Sequence, residues 1–297
     1  MFAIAKRVFF FTIVNILVIA TLSITAHLLT TFFGIDFSGY TGLLIFCAIF
    51  GMGGAFISLA MSKMMAKWMF GLRIIEPRTT DPVGRQIVEV VHDLSRKARL
   101  SKMPEVAVYE SEEVNAFATG PSKNNSLVAV STGLLRRMNK DQVEGVLGHE
   151  VAHIANGDMV TMTLIQGIIN ALVMFAARII AGIIASQVEE RSRHTIHFLL
   201  VIVLQILLGF LGMIVVNGFS RYREYRADAG GSRLAGREKM IGALRALANT
   251  DELVEADHPS MASLKIAGGR GNLMAKLFST HPPIEDRILR LESAVRS

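Results

Sequence analysis

One cysteine, Cys47, stands in 297 residues, and it lies inside an apolar run. No disulfide framework and no cysteine-based metal site can form within one chain, and nothing demands an oxidising compartment. Internal repeats and low-complexity tracts are also missing, which sets aside solenoids and disordered arrays. Charge is sparse and unevenly placed. The net charge is +6, yet Lys63 to Asp158 holds 13 Lys/Arg against 12 Asp/Glu. The excess gathers near the ends of apolar runs, where positive charge sets membrane orientation rather than gripping phosphates.

Apolar residues, in contrast, are abundant: 51% of the chain, with a mean hydropathy of +0.43. They fall into blocks, the mark of a membrane protein. Four blocks stand out, at about 8–33, 40–61, 159–186 and 196–219. The first two can each cross about 30 Å of hydrocarbon at about 1.5 Å per residue. The other reading of the first is a signal peptide, but its apolar core is too long and Ser23–Ala26 is a weak cleavage site. The third carries Gln166, Asn170 and Arg178, and the fourth Gln205 and Asn217. Polar groups in lipid usually face protein, so these two helices are expected to pack on one side, or to form a partly embedded hairpin. Lys6/Arg7, Lys63/Lys67/Arg73 and Arg221/Arg223/Arg226 fall on one side if every block crosses. The positive-inside rule then places both termini and both polar regions in the cytoplasm.

The first polar region predicts a helical stripe at Ile87, Val88, Val91 and Leu94. "PEVAVYES" and "SLVAVST" read as strands. Two helices follow, the second capped near Asn139–Asp141. The tail from Ser220 is again helical, with a flexible patch near Gly268. The expected fold class is a mainly α integral membrane protein with four transmembrane helices and an α+β domain holding a small sheet. Its parts are residues 1–62 (two membrane helices), 63–158 (polar region), 159–219 (two more membrane helices) and 220–297 (C-terminal polar part).

Within the second helix lies "HEVAH". Positions four apart share a helix face, so His149 and His153 can present imidazole nitrogens to one ion. Glu150 is placed to reach a water on that ion, whose proton a carboxylate can take at neutral pH. Gly148 and Ala152 would keep bulk away. Two ordinary helix histidines remain the other reading, because a catalytic zinc needs a third protein ligand. "SRYREYRADAGG" supplies a candidate: Glu224 can bind the metal, while Asp228, one turn on, accepts from a ligand histidine. A solvated charged helix is the alternative there.

"HEVAH" and "SRYREYRAD", set beside four apolar segments, resemble the HtpX family of membrane-bound zinc endopeptidases, relatives of the Ste24-type proteases. The resemblance covers essentially the whole chain. It implies a zincin-type protease domain with one Zn2+ held by His149, His153 and Glu224, Glu150 as general base and Asp228 behind a ligand. It implies an enzyme of the bacterial inner membrane that cleaves damaged or misassembled membrane proteins on the cytoplasmic side, as part of quality control under stress. Protein substrates and the bilayer are the implied partners. "NAFATG" resembles the family's segment beside the cleft, so Asn115, Ala116 and Phe117 are candidate substrate-binding residues on an edge strand; a turn is the alternative. "THPPIEDRI" resembles a C-terminal stretch whose histidine lies near zinc in relatives. His281 could then donate to the oxyanion or fill the open metal position, and Arg287 could aid the oxyanion or pair with Glu285; a simple turn is again the alternative. Two readings of another class stand beside the protease: a zinc-braced membrane sensor or scaffold without catalysis, and a divalent-ion transporter. Glu150 argues against the first, and the scarcity of ionisable groups in the apolar runs against the second.

Overall fold

The computed structural model describes residues 16, 20–32, 34, 39–257 and 277–293. The start of the first apolar block and the Gly268 patch lie outside the described residues. In chain order the elements are α1 (20–32), α2 (Gly39–Phe70), β1 (Arg73–Ile75), α3 (Pro82–Lys97), β2 (Glu105–Tyr109), β3 (Ala116–Ser122), β4 (Asn125–Ser131) and α4 (Thr132–Arg137). They continue with α5 (Lys140–Asn156), α6 (Asp158–Ala185), α7 (Glu190–Ala235), α8 (Arg237–Asp257) and α9 (Ile284–Ser293).

The chain divides into two units. Residues 1–59 and 161–216 form one; residues 60–160 and 217–297 form the other. Among the described residues, three helices are long and apolar enough to cross a membrane: α2, α6 and α7. Within the first unit α2 and α6 approach closely. A Cβ added at Gly51 would sit 2.5 Å from the Ala171 backbone nitrogen, and one at Gly167 would sit 3.1 Å from Met52 Cα. Small residues permit such contacts, which matter in lipid because no hydrophobic force drives helices together there and close packing must. Arg178 turns its guanidinium over the Phe46 ring at 5.5 Å and donates to the Met174 carbonyl.

The second unit is built on a four-stranded sheet ordered β1-β2-β4-β3. β2 and β4 are parallel; β1 and β3 pair antiparallel at the two edges. The sheet has two covered faces. Val106, Val128 and Val130 join Val91, Leu94, Leu147 and Val151 of α3 and α5 in the main core. Ala107, Tyr109, Leu127 and Ala129 face the other way, with Phe117 and Leu72 against them. This two-sided burial explains why β4 is one unbroken buried run rather than an alternating strand.

Local signals fix the helix ends. Asp81 caps α3 by accepting from Gly84 N at 2.8 Å, with Pro82 at the first helical position. Asn139 and Gln142 form a reciprocal capping box at the start of α5, and Gly157 ends it in the left-handed conformation at φ 73°. Instead of restarting at Ser220, α7 runs unbroken from the apolar block to Ala235. α9 docks on α8 through Leu291 against Met240, Ile241 and Leu244.

Candidate active site

α5 and α7 meet along small residues. A Cβ added at Gly231 would lie 2.8 Å from His149 N, and one at Gly230 would lie 2.7 Å from Ala152 Cβ. One at Gly148 would lie 2.9 Å from Ala235 Cβ. Gly148 and Ala152 therefore do more than keep bulk away from the histidines: they let the backbone of α5 seat on α7. That close approach is what brings Glu224 to the histidines.

His149 Nε2 and His153 Nε2 lie 3.0 Å apart, their rings nearly perpendicular at 87°. Glu224, 1% exposed, places Oε2 3.4 Å from His149 Nε2 and Oε1 3.4 Å from His153 Nε2. One donor atom from each residue falls within 4.8 Å of the others. These separations suit a divalent ion: metal bonds of about 2.0–2.1 Å in a tetrahedron put neighbouring donors about 3.3–3.4 Å apart. Glu224 Oε2 is also buried without a well-aligned donor, leaving a lone pair for a cation. The residues fit a metal.

The imidazoles are backed by carboxylates. His149 Nδ1 lies 3.0 Å from Asp228 Oδ1, off the line of a good hydrogen bond. Arg287 grips Asp228 with two donors, Nε to Oδ2 at 2.8 Å and Nη2 to Oδ1 at 2.6 Å, both residues buried. Its Nη2 also lies 3.8 Å from Glu224 Oε2. Arg287 thus pairs with Asp228 rather than with Glu285, because residues two apart on a helix do not face each other. Burial pushes the His149 pKa down, but Asp228 and Glu224 more than reverse this and raise it to about 9. His153 follows the same pattern: burial lowers its pKa, and Asp158 and Glu224 reverse the shift upward.

Glu150 does not reach the other donors. Its Oε2 accepts a hydrogen bond from the Ala118 amide of β3 at 2.7 Å. The "NAFATG" stretch is an edge strand from Ala116 onward, not a turn. Asn115 precedes it and is tied to β4, its amide donating to Ser131 Oγ at 3.1 Å. The Phe117 side chain packs on Phe70 and Tyr109, on the sheet face away from α5. Contact between strand and motif therefore falls on Ala118, one residue beyond the expected trio. His281 is 61% exposed and places Nδ1 3.0 Å from Glu224 Oε2. Asn217 and Arg221 hold the chain before it, donating to the carbonyls of Phe278 at 2.9 Å and Ser279 at 2.8 Å.

Sequence reasoning missed Asp158 and Arg226. Asp158 Oδ2 lies 2.7 Å from His153 Nδ1, and Asp158 Oδ1 accepts from Arg226 Nη2 at 2.6 Å. An acid at the first residue of a helix reads as an ordinary partner of the helix dipole, which hides a second role.

Residues 83–295 match peptidase family M48. The chain belongs to that family. The M48 chain is 51% identical over 297 residues to "Protease HtpX homolog" of Bacillus licheniformis, an alignment covering 97% of this chain and 99% of that protein. It is 50% identical over 295 residues to "Protease HtpX" of Shewanella oneidensis, again covering 97% and 99%. Within M48 it is thus an HtpX-type metalloprotease. Its fold is also similar to the crystal structure of Ste24p from S. mikatae, with a TM-score of 0.66 at 15% identity. That likeness covers 97% of this chain, which spans 65% of the Ste24p chain.

Proposed function

We propose that this M48 chain is a zinc-dependent endopeptidase of the bacterial inner membrane that cleaves misfolded or damaged membrane proteins on the cytoplasmic side. The observation that carries the reading is the convergence of His149, His153 and Glu224 on one point, with Glu150 between the histidines in sequence. The proposed metal ligands are those three residues, and Asp228 orients His149. When bound, the cation supplies Lewis acidity to a peptide carbonyl and to a water. Glu150 takes a proton from that water as its oxygen attacks the carbonyl carbon. The same carboxyl then gives the proton to the leaving nitrogen as the C–N bond breaks. A base so placed is not needed by a metal site that only braces a fold.

An extended substrate is proposed to pair with β3. Alternation along an antiparallel ladder turns the polar backbone of Ala116 and Ala118 away from β4, and the Ala118 amide reaches Glu150. Backbone pairing gives affinity without sequence preference, which suits many unfolded substrates. His281, exposed beside Glu224, is the proposed oxyanion donor. The two membrane parts are taken as residues 1–62 and 159–219, in four spans, with the polar regions 63–158 and 220–297 in the cytoplasm. Flanking positive charge supports this orientation.

The test is Glu150→Gln in the full chain. It should abolish chelator-sensitive cleavage of an unfolded protein while zinc content stays at one per chain, and full activity would remove Glu150 from the chemistry. Glu224→Ala should lower bound zinc; an unchanged zinc-to-protein ratio would remove it as a ligand. Access of an external protease to a tag after Ser297 in right-side-out vesicles would contradict the cytoplasmic placement.

A further inference from the structure

Asp158 is the first residue of α6, directly after the glycine that ends α5. An acid that only complements a helix dipole can stay at the surface. Asp158 is instead 1% exposed, and both its oxygens are engaged by side chains: Oδ2 with His153 Nδ1 at 2.7 Å, Oδ1 with Arg226 Nη2 at 2.6 Å. We propose that Asp158 is the positioning residue for His153, and that Arg226 locks it in place.

The reason is the donor count of a neutral imidazole. It carries one N–H, and a carboxylate only accepts, so the proton must sit on Nδ1 when Asp158 faces it. Nε2 is then left with a free lone pair, turned toward His149 Nε2 and Glu224 Oε1. Without Asp158 the ring can turn or carry its proton on Nε2, and the donor atom is lost. The contact is also shorter and better aligned than the 3.0 Å approach of Asp228 to His149, so His153 is the more firmly oriented ring. Arg226 adds a brace. It lies two residues past Glu224 on α7 and reaches Asp158 on α6, with a second donation to the Asn156 carbonyl at 3.5 Å. His153 and Glu224, from distant parts of the chain, are therefore joined a second time through Asp158 and Arg226.

This inference rests on the proposed metal site. The experiment uses the full-length chain in detergent, with zinc affinity read by chelator competition, the absorption spectrum of the cobalt(II)-loaded protein, and the melting temperature of the metal-free protein. Asp158→Ala should weaken zinc binding roughly 10- to 100-fold and change the cobalt spectrum. Asp158→Asn keeps an acceptor oxygen for the Nδ1–H and should restore most of the affinity and the wild-type spectrum. Arg226→Met should show a smaller loss in the same direction. Asp158→Ala with unchanged affinity and spectrum would overturn the proposal. So would equal losses in the Ala and Asn variants that track their melting temperatures while the cobalt spectrum stays unchanged. If Asp158→Ala does not fold, Asp158→Asn, whose NH2 must face Arg226, and Arg226→Met decide: a loss in the former well beyond that in the latter, or no effect in the latter, counts against the role. A wild-type chain that binds neither ion defeats the metal reading itself, whereas normal wild-type binding with an indifferent Asp158 defeats only this inference.

Discussion

Replacing Gly231 by alanine adds one carbon to the face of α7 that carries α5. The new Cβ would sit 2.8 Å from His149 N, 3.1 Å from Gly148 C and 3.1 Å from His149 Cα. All three are backbone atoms, so no side chain can swing aside. Ordinary carbon contacts are about 3.5–4.0 Å, so α5 must retreat by roughly 0.5–1 Å. Overpacking of this kind costs about 1–3 kcal/mol, offset in part by the roughly 1 kcal/mol that alanine gains over glycine in a helix. Stability should therefore fall only modestly. Metal binding should suffer more, because the retreat moves His149 relative to Glu224 by more than the roughly 0.2 Å tolerance of a metal site. The expected result is at least a tenfold loss of zinc affinity with a melting temperature within a few degrees of wild type. Gly242→Ala is the matched comparison: on α8 its nearest neighbour is Gln142 Cγ at 3.9 Å, so the added carbon should stabilise and leave zinc untouched. If Gly231→Ala binds zinc like Gly242→Ala, the small-residue seam does not set the ligand geometry.

Arg287→Met leaves the buried Asp228 carboxylate without its two donors, and breaking a buried pair in this way costs about 3–5 kcal/mol. Thermal unfolding should show a drop of several degrees and zinc affinity should fall with it. A stable variant with normal zinc and lost turnover would instead assign Arg287 to the oxyanion. A pH effect is expected at Glu105: burial raises its pKa, but Lys63 and Lys67, at 2.7 and 2.8 Å, more than reverse this and hold it below the ordinary carboxylate range. A depressed pKa stabilises the fold above the ordinary carboxylate value and loses that contribution as pH falls through the depressed one. Wild type should accordingly lose more melting temperature between pH 7 and pH 3 than Glu105→Gln; equal losses would show the two lysines to be idle.

Legibility in the sequence followed how local each cause is. The stripe Ile87, Val88, Val91 and Leu94 is a property of one helix, and all four residues are buried in α3. The caps at Asp81 and Asn139 act within three residues and could be expected from those residues. β1 spans only Arg73–Ile75 and owes its form to pairing with β2, so nothing in it announces a strand. Asp158 and Arg226 acquire their role only once α6 and α7 meet. The same holds for Gly230 and Gly231, which read as flexible residues in isolation yet lie within α7, where their lack of a side chain admits α5. Arg287 shows the limit most clearly: Asp228 lies far from it in sequence, while Glu285, the nearer acid, lies on another face of its helix.

Glu150 is held by the strand on which the substrate is proposed to lie. If a substrate segment extends β3, its register is set by the outward N–H and C=O of Ala116 and the C=O of Ala118, while the Ala118 N–H holds Glu150. Glu150 itself rides on α5, so a shift of β3 relative to α5 would break this bond and change the separation of base and substrate. Glu224 has no comparable tie to β3: it comes from α7, through the glycine seam. The proposed base and the proposed ligand Glu224 are thus held by different contacts, Glu150 by β3 and Glu224 by the seam between α5 and α7. Disturbing the seam should impair metal binding before it impairs substrate binding, whereas disturbing β3 should raise KM and lower kcat while leaving zinc affinity intact.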